Sequence, residues 1–96
     1  MHVRFSANAE SDLRDIINFL KPRNDLACER IVTAIMTASD QLRRFPFLGR
    51  DGRIAETREL SIPRTPYIIV YTLPDAFHVD IENIVHDRRQ WPPAKA

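Results

Sequence analysis

The spacing of the apolar residues changes once along this chain, and that change limits the folds open to it. Between residues 9 and 42, apolar side chains recur every three or four positions, as they do on one face of a helix. Between residues 57 and 85 they alternate or run continuously, as they do in strands. A short alternating segment around Val3 and Phe5 precedes both. The pattern predicts the order β-α-α-β-β-β, an α+β fold with a helical hairpin on one face of a small, mainly antiparallel sheet.

Both predicted helices have recognisable ends. Ser6 fits the N-cap of the first, which stops before Pro22 because a proline disfavours the helical conformation in the preceding residue. Asn24 or Asp25 fits the N-cap of the second, which stops before Pro46. The short break between the helices predicts an antiparallel pair. Their apolar faces comprise Ala9, Leu13, Ile16, Ile17 and Leu20 in the first and Cys28, Ile31, Val32, Ile35, Ala38 and Leu42 in the second.

The remaining elements are a loop and three strands. Residues 46–53 contain both glycines and are predicted to form the loop. Strands are predicted at residues 57–62, at residues 67–73 and from residue 77 onward. The middle one is apolar throughout, which is typical of a central strand covered on both faces. Its two tyrosines, at positions 67 and 71, lie on one face, so at least one of them is expected to be structural.

The last strand is expected to present a polar face. If Phe77, Val79 and Ile81 face the helices, strict alternation places a second set on the open face of the sheet: His78, Asp80, Glu82, Ile84, His86 and Arg88. Ile84 is the apolar exception, so a bulge near it could change the register. Without a bulge, His86 and Arg88 share the open face, which the helices leave uncovered.

Length and composition exclude several classes of protein. The 96 residues, 44% of them apolar, predict a single domain over residues 1–96 with one core. No apolar run is long enough to span a membrane, and the first residues lack the layout of a signal peptide, so a cytoplasmic location is expected. A single cysteine excludes an internal disulfide and a multi-cysteine zinc site.

The positive charge is concentrated and is nearly all arginine. Residues 43–64 hold six arginines against three carboxylates, although the net charge of the whole chain is only +1. Arginine suits planar, bidentate contacts to phosphate or carboxylate, so an anionic partner is favoured. Arg50, Arg53 and Arg58 are the candidates for such contacts. Alternatively, Arg50 and Arg53 belong to a solvated loop.

A second group of candidates follows the last strand. His86, Arg88, Arg89 and Trp91 are gathered within six residues, and arginine and aromatic side chains mark surfaces that bind phosphate, bases or protein. Trp91 can stack on a base or anchor a protein interface, or it can seal the edge of the core. No metal or other cofactor is expected, because side chains two apart on a strand, such as His78, Asp80 and Glu82, diverge too far for a chelate site.

Short motifs run along nearly the whole chain: the opening strand and helix with Ala9, Leu13 and Ile16, then Arg44-Phe45-Pro46, Leu48-Gly49-Arg50, Thr57-Arg58-Glu59-Leu60, Pro66-Tyr67-Ile68-Ile69-Val70-Tyr71 and Ile84-Val85-His86-Asp87-Arg88-Arg89-Gln90-Trp91-Pro92. In their order and spacing they resemble the RelE/ParE superfamily of small bacterial toxins from type II toxin–antitoxin modules. The resemblance implies a toxin wrapped by a cognate antitoxin in a hetero-oligomer, with operator DNA contacted only through the antitoxin.

The resemblance leaves the cellular target open. RelE-like members enter the ribosomal A site and cut mRNA, whereas ParE-like members inhibit DNA gyrase without being nucleases. Arg88 matches the basic position of the RelE-like pattern at the end of the last strand. The arginine expected after the Pro-Tyr pair falls on Ile68, which cannot stabilise a phosphorane, and residues 93–96 contain no tyrosine. These departures favour inhibition of DNA gyrase by protein binding.

The alternative is a RelE-like, ribosome-dependent mRNA endonuclease with His86 and Arg88 as catalytic residues. Such cleavage needs a base, an acid and positive charge near the phosphate, and it needs no metal. Glu56 or Glu59 could complete the site. His86 can instead simply end the strand and contact the antitoxin. In either case Arg50, Arg53, Arg58, Arg89 and Trp91 are expected to bind the partner or RNA. A degenerate toxin with neither activity is a third reading.

Overall fold

In a computed structural model of the chain, which describes residues 1–89 and 91–93, two helices pack on one face of a five-stranded sheet. Gln90 of the C-terminal motif and residues 94–96, part of the stretch without a tyrosine, lie outside the described residues. The elements are β1 (His2–Phe5), α1 (Ala7–Leu20), α2 (Asp25–Arg44), β2 (Arg50–Asp51), β3 (Thr57–Ser61), β4 (Tyr67–Thr72) and β5 (His78–His86).

The predicted helix starts are confirmed by the hydrogen bonds of the N-caps, and both helices stop before their prolines, at Leu20 and Arg44. The Ser6 hydroxyl accepts a hydrogen bond from the Ala9 N–H at 3.0 Å, at the start of α1. The Asn24 side chain accepts one from the Ala27 N–H at 3.0 Å, at the start of α2. Each bond satisfies a backbone donor that has no partner within its helix. Neither helix is long and apolar enough to cross a membrane.

The strands follow the order β1-β5-β4-β3-β2, in which β1 and β5 are parallel and the other neighbours are antiparallel. The prediction of an α+β fold with a mainly antiparallel sheet is confirmed. Strand β4 is central, as its unbroken apolar sequence predicted. Ile69 and Tyr71 face the helices, while Ile68 and Val70 face the opposite side.

One strand was missed in the predicted loop. Arg50 pairs with Glu59 and Asp51 pairs with Arg58, which makes β2 a two-residue edge strand beside β3. Two residues are too few to produce an alternating pattern, so the glycines on either side dominated the prediction.

The main core lies between the helices and the sheet. Its buried members come from α1, α2, β4 and β5, with Ile62 just after β3: Ala9, Ile16, Ile31, Ile35, Ala38, Leu42, Ile62, Ile69, Tyr71, Val79, Ile81 and Ile84. Val32, predicted on the apolar face of α2, is only partly buried and lies outside this core. Cys28 is also buried, as its position on the stripe predicted. Phe77 is the exception. It was expected to face the helices, but it precedes β5 and its side chain is 70% exposed.

A bulge in β5 changes the face that each side chain occupies. Tyr71 pairs with Ile81, whereas its neighbour Val70 pairs with Asn83, so Glu82 has no opposite residue. Before the bulge Ile81 faces the helices, and after it Ile84 does so instead of lying on the open face. Strict alternation is therefore wrong for the second half of the strand, because the extra residue inverts its phase.

Helix α1 holds this bulge in place. The Ser6 hydroxyl donates a hydrogen bond to the Glu82 carbonyl at 2.7 Å. The Asp12 carboxylate accepts one from the Ile84 N–H at 2.9 Å and another from the Asn83 side chain at 3.1 Å. The irregular backbone at the bulge is thus satisfied by polar groups of the helix.

Candidate functional site

His86 lies on the helix side of the sheet and not on the open face. It pairs with Tyr67 across β4 and β5, and the two rings meet edge to face with centroids 5.5 Å apart. Its Nδ1 accepts a hydrogen bond from the Arg88 N–H at 3.1 Å and lies 3.2 Å from a carboxylate oxygen of Asp87. Burial raises the pKa of the Tyr67 phenol, so this neighbour stays protonated. The sequence placed His86 and Arg88 together on the open face only if β5 had no bulge. The bulge that the apolar Ile84 indicated is present, and it turns His86 to the helix side.

Arg88 and Arg89 both contact His86 through their backbones, but they occupy different positions. Arg88 lies beyond the end of β5 in a turn and is exposed, and its backbone contacts the imidazole. Arg89 donates its backbone N–H to the His86 carbonyl at 3.0 Å. Arg89 also lines a shallow cleft of about 180 Å³ with Asp15 and Phe19, next to Tyr67 and His86. The cleft brings together an imidazole, a phenol and charges of both signs at its edge.

The open face of the sheet carries an apolar patch. Ile68, Val70 and Val85 are buried there, and Trp91 packs against them from the C-terminal segment. Trp91 therefore covers part of the surface that the helices leave free, which is the structural alternative considered for it. Ile68 is only 6% exposed, so the position where the RelE-like pattern has an arginine is part of a small apolar cluster.

A buried carboxylate holds two of the candidate arginines beside this patch. Glu59 is 1% exposed and lies opposite Val70. Its Oε1 accepts from Arg50 at 3.1 Å and lies 3.3 Å from a guanidinium nitrogen of Arg53, while its Oε2 accepts from the Arg53 N–H at 2.9 Å. Arg53 also donates to the Trp91 carbonyl at 3.2 Å. The arginines are not simply solvated: one carboxylate orients both, and their outer edges remain half-exposed.

Arg58 has a different position and role. Its side chain donates hydrogen bonds to the carbonyls of Phe47 and Gly49, at 3.2 and 2.5 Å, and lies 3.4 Å from the Asp51 carboxylate. It therefore stabilises the loop between α2 and β2, away from Glu59. The structure does not bring Arg58 into one cluster with Arg50 and Arg53.

The polar residues in the first half of β5 pair with their neighbours. Asp80 forms a bidentate ion pair with Arg4, and the hydrogen bond raises the pKa of the arginine. Glu82 accepts from Thr72 at 3.1 Å. His78 contacts Asp75, whose pKa is lowered chiefly by the hydrogen bond from the Phe77 N–H. Within residues 1–89 and 91–93, no cluster of three or more histidine, cysteine, aspartate or glutamate side chains could hold a metal ion.

A model of the family described as the ParE toxin of type II toxin–antitoxin systems matches residues 3–91 of this chain. The chain belongs to this family. The resemblance to the RelE/ParE superfamily is confirmed, and the protein is a toxin of a type II toxin–antitoxin system.

Relatives and solved structures agree with this assignment. The Sinorhizobium fredii protein named "Putative toxin Y4kP" is 37% identical to the ParE-family toxin over 90 residues, which cover 94% of this chain and 92% of that protein. The toxin–antitoxin complex RelBE2 of Mycobacterium tuberculosis matches with a TM-score of 0.65 and 27% identity, over 88% of this chain and 95% of the other. A chromosomal ParDE system of P. aeruginosa shares the fold, with a TM-score of 0.68 and 18% identity over 90% and 95% of the two chains.

Apart from Arg88, which lies in an exposed turn after β5, the candidate residues of this ParE-family toxin fall into three groups. Arg50, Arg53 and Trp91 meet on the open face, His86 and Arg89 lie at the helix-side cleft, and Arg58 supports a loop. The roles of two carboxylates were not predicted from the sequence. Glu59, considered there only as a catalytic group, orients Arg50 and Arg53. Asp12, which the helical pattern left unmarked, fixes the bulge.

Proposed function

We propose that this toxin acts by binding a protein, with DNA gyrase as its target, and that a cognate antitoxin neutralises it. The family description and the ParDE neighbour favour this mode of action. The antitoxin partner is inferred from the solved relatives, both of which are described as toxin–antitoxin systems or complexes.

The observation that carries the proposal is the composition of the open face. Ile68, Val70 and Val85 are buried on this face, and Trp91, which packs against them, is partly exposed and forms the apolar part of the outer surface. Aromatic and arginine side chains around an apolar centre are enriched in protein interfaces. The half-exposed guanidiniums of Arg50 and Arg53, held by Glu59, supply the polar rim of such a surface.

The same geometry argues against a RelE-like reaction on this face. A phosphorane needs positive charge close to the reacting phosphate and a base on the same side of the sheet. Ile68 offers no charge, and His86 faces the helices. Arg50 and Arg53 are on the open face, but their guanidiniums already share the Glu59 carboxylate.

The test compares two reactions with one preparation of toxin released from its antitoxin. We expect the toxin to inhibit DNA supercoiling by purified gyrase and to leave mRNA on translating ribosomes intact. Adding back the antitoxin should restore supercoiling, which controls for contaminating inhibitors. Cleavage of mRNA together with unaffected supercoiling would overturn the proposal.

The RelE-like endonuclease remains the second candidate because RelBE2 is similar over nearly the whole chain and His86 contacts a protonated phenol. In that case His86→Ala and Arg88→Ala should abolish mRNA cleavage while the melting temperature stays near that of the wild type. Unchanged toxicity in both folded variants would exclude this role for them.

A further inference from the structure

Three neighbouring apolar side chains are exposed where α2 ends. Phe45, Phe47 and Leu48 are 56%, 71% and 50% exposed. The Leu48 N–H donates to the Phe45 carbonyl at 3.1 Å, so the residues share one tight turn with Pro46 in its second position. Exposed apolar residues gathered in one patch mark interaction surfaces more often than scattered ones do. We refer to residues 45–48 as the aromatic turn.

The backbone of the aromatic turn is fixed from below by Tyr71. This side chain is fully buried, and its hydroxyl donates to the Pro46 carbonyl at 2.8 Å and accepts from the Gly49 N–H at 2.9 Å. The fit is close: a Cβ atom on Gly49 would lie 2.8 Å from the Tyr71 ring and hydroxyl. Arg58 adds hydrogen bonds to the carbonyls of Phe47 and Gly49. A buried phenol and a guanidinium therefore hold the turn in one conformation.

The groups that hold the backbone of the aromatic turn are different from the side chains that the turn exposes. The polar groups that fix the aromatic turn lie beneath it, while its apolar side chains stay in water and add little to the core. A surface that is ordered before it binds loses less conformational entropy on association, which raises affinity. Phenylalanine is among the residues enriched in protein interfaces.

Three arginines and two carboxylates lie around the turn, which leaves a net charge of +1 there. Arg43 forms an ion pair with Asp40 and Arg58 forms one with Asp51, while Arg44 ends α2. The guanidinium carbon of Arg44 is 6.0 Å from the centre of the Phe45 ring, and that of Arg58 is 5.3 Å from the centre of the Phe47 ring. A partner surface with an acidic rim complements this pattern.

We propose that the aromatic turn inserts into an apolar, acid-rimmed pocket of the folded protein that the toxin inhibits. Because the aromatic turn projects from the surface, its partner must be concave. A folded protein can offer such a pocket, whereas an extended antitoxin segment binds in grooves of the toxin. The inference rests on the proposed function, since it takes the toxin to act by binding a protein. It adds a contact separate from the surface that Trp91, Arg50 and Arg53 form on the open face.

The experiment uses the full chain under an inducible promoter, with Phe45→Ala/Phe47→Ala and the single variant Phe47→Ala. Phe77→Ala and Leu26→Ala are the matched controls, because these apolar side chains are 70% and 80% exposed elsewhere on the surface. Growth arrest, inhibition of purified gyrase and co-purification with the co-encoded antitoxin are measured for each. The melting temperature of every variant reports its folding.

We expect the double variant to be at least about tenfold weaker in growth arrest, as for the loss of a hot spot. Antitoxin co-purification and melting temperature should match those of the controls. Equal potency of the double variant and Phe77→Ala would overturn the inference. Loss of antitoxin binding with toxicity retained would also overturn it, because the turn would then be an antitoxin contact.

The outcomes separate this inference from the proposed target. If the wild-type toxin does not inhibit gyrase but arrests growth in a way that depends on Phe47, gyrase is not the target and the turn is still a contact. If the wild-type toxin and the double variant inhibit gyrase equally, gyrase is supported as the target and the role of the turn is refuted. A wild-type chain without any growth arrest refutes both.

Discussion

The carboxylate of Asp12 in α1 accepts a hydrogen bond from the backbone N–H of Ile84, two residues after the unpaired Glu82 of β5. This bond connects the first helix to the last strand at the point where the strand changes phase. It therefore bears on which side of the sheet His86 occupies, although the two side chains belong to distant parts of the sequence.

Replacing Asp12 should loosen the bulge. Asp12→Ala leaves the Ile84 N–H and the Asn83 amide without their acceptor, and we expect a loss of about 1–3 kcal/mol in the free energy of unfolding. Asp15→Ala, which removes an exposed carboxylate from the same helix, should change it by less than about 0.5 kcal/mol. Urea denaturation measures both, and amide hydrogen exchange should accelerate at Ile84. Similar losses in the two variants would contradict this role of Asp12.

The hydroxyl of Tyr71 should contribute more to stability than that of Tyr67. Tyr71→Phe leaves the Pro46 carbonyl and the Gly49 N–H unpaired in a buried place, at a cost of about 1–3 kcal/mol. Tyr67→Phe is the matched control, since the Tyr67 hydroxyl has no hydrogen bond among the described residues. Denaturant unfolding of the two variants gives the comparison. If Tyr71→Phe unfolds like Tyr67→Phe, the hydroxyl does not anchor the aromatic turn.

The fluorescence of Trp91 should report on the hydrogen bond between its carbonyl and Arg53. It is the only tryptophan, so its fluorescence is unambiguous. Arg53→Ala removes the hydrogen bond to the Trp91 carbonyl, and we expect a red-shifted emission and a stability loss of roughly 0.5–1.5 kcal/mol. Arg50→Ala, which loses a contact to Glu59 but none to Trp91, should leave the emission unchanged. An equal shift in both variants would mean that Glu59, rather than Arg53 itself, orders the tryptophan.

Asp75 should make folding depend on pH in the acid range. Hydrogen bonds from the Phe77 N–H and from His78 lower its pKa from the ordinary 3.8. Because the folded state has the lower pKa, the ionised carboxylate stabilises the fold above 3.8, and this contribution disappears as the pH falls through the lowered value. Asp75→Asn should therefore flatten the loss of stability below 3.8. Carboxyl carbon NMR of the wild type would contradict the expectation by showing a titration midpoint at or above the ordinary value.

Local chemistry made the helices predictable, and non-local contacts limited the rest. Ser6 and Asn24 each cap a helix through a residue three positions away, so both partners of each bond lie within one short stretch of sequence. The bulge depends on Asp12, more than seventy residues from Ile84, and no local pattern records that pairing. The pairing of β2 with β3 is equally invisible, because a two-residue strand has no period.

The same distinction applies to the candidate site. Arg50, Arg53 and Trp91 were identified by residue type, and they meet on the open face. Their arrangement depends on Glu59, whose burial follows only from the strands on either side of it. His86 was identified for its chemistry. Its side of the sheet depends on the bulge at Glu82, which the apolar Ile84 indicated but whose position the alternation did not fix.

Glu82 acts as a single-residue insertion within a nine-residue strand. Deleting it would exchange the sides of Ile84 and Val85 and would turn His86 toward the open face, while the pairing of β1 with the first half of β5 would stay intact. The number of residues within β5 therefore determines which side chains its C-terminal half presents on each face of the sheet. In this toxin, gain or loss of one residue at the bulge would present a different set of side chains to a target.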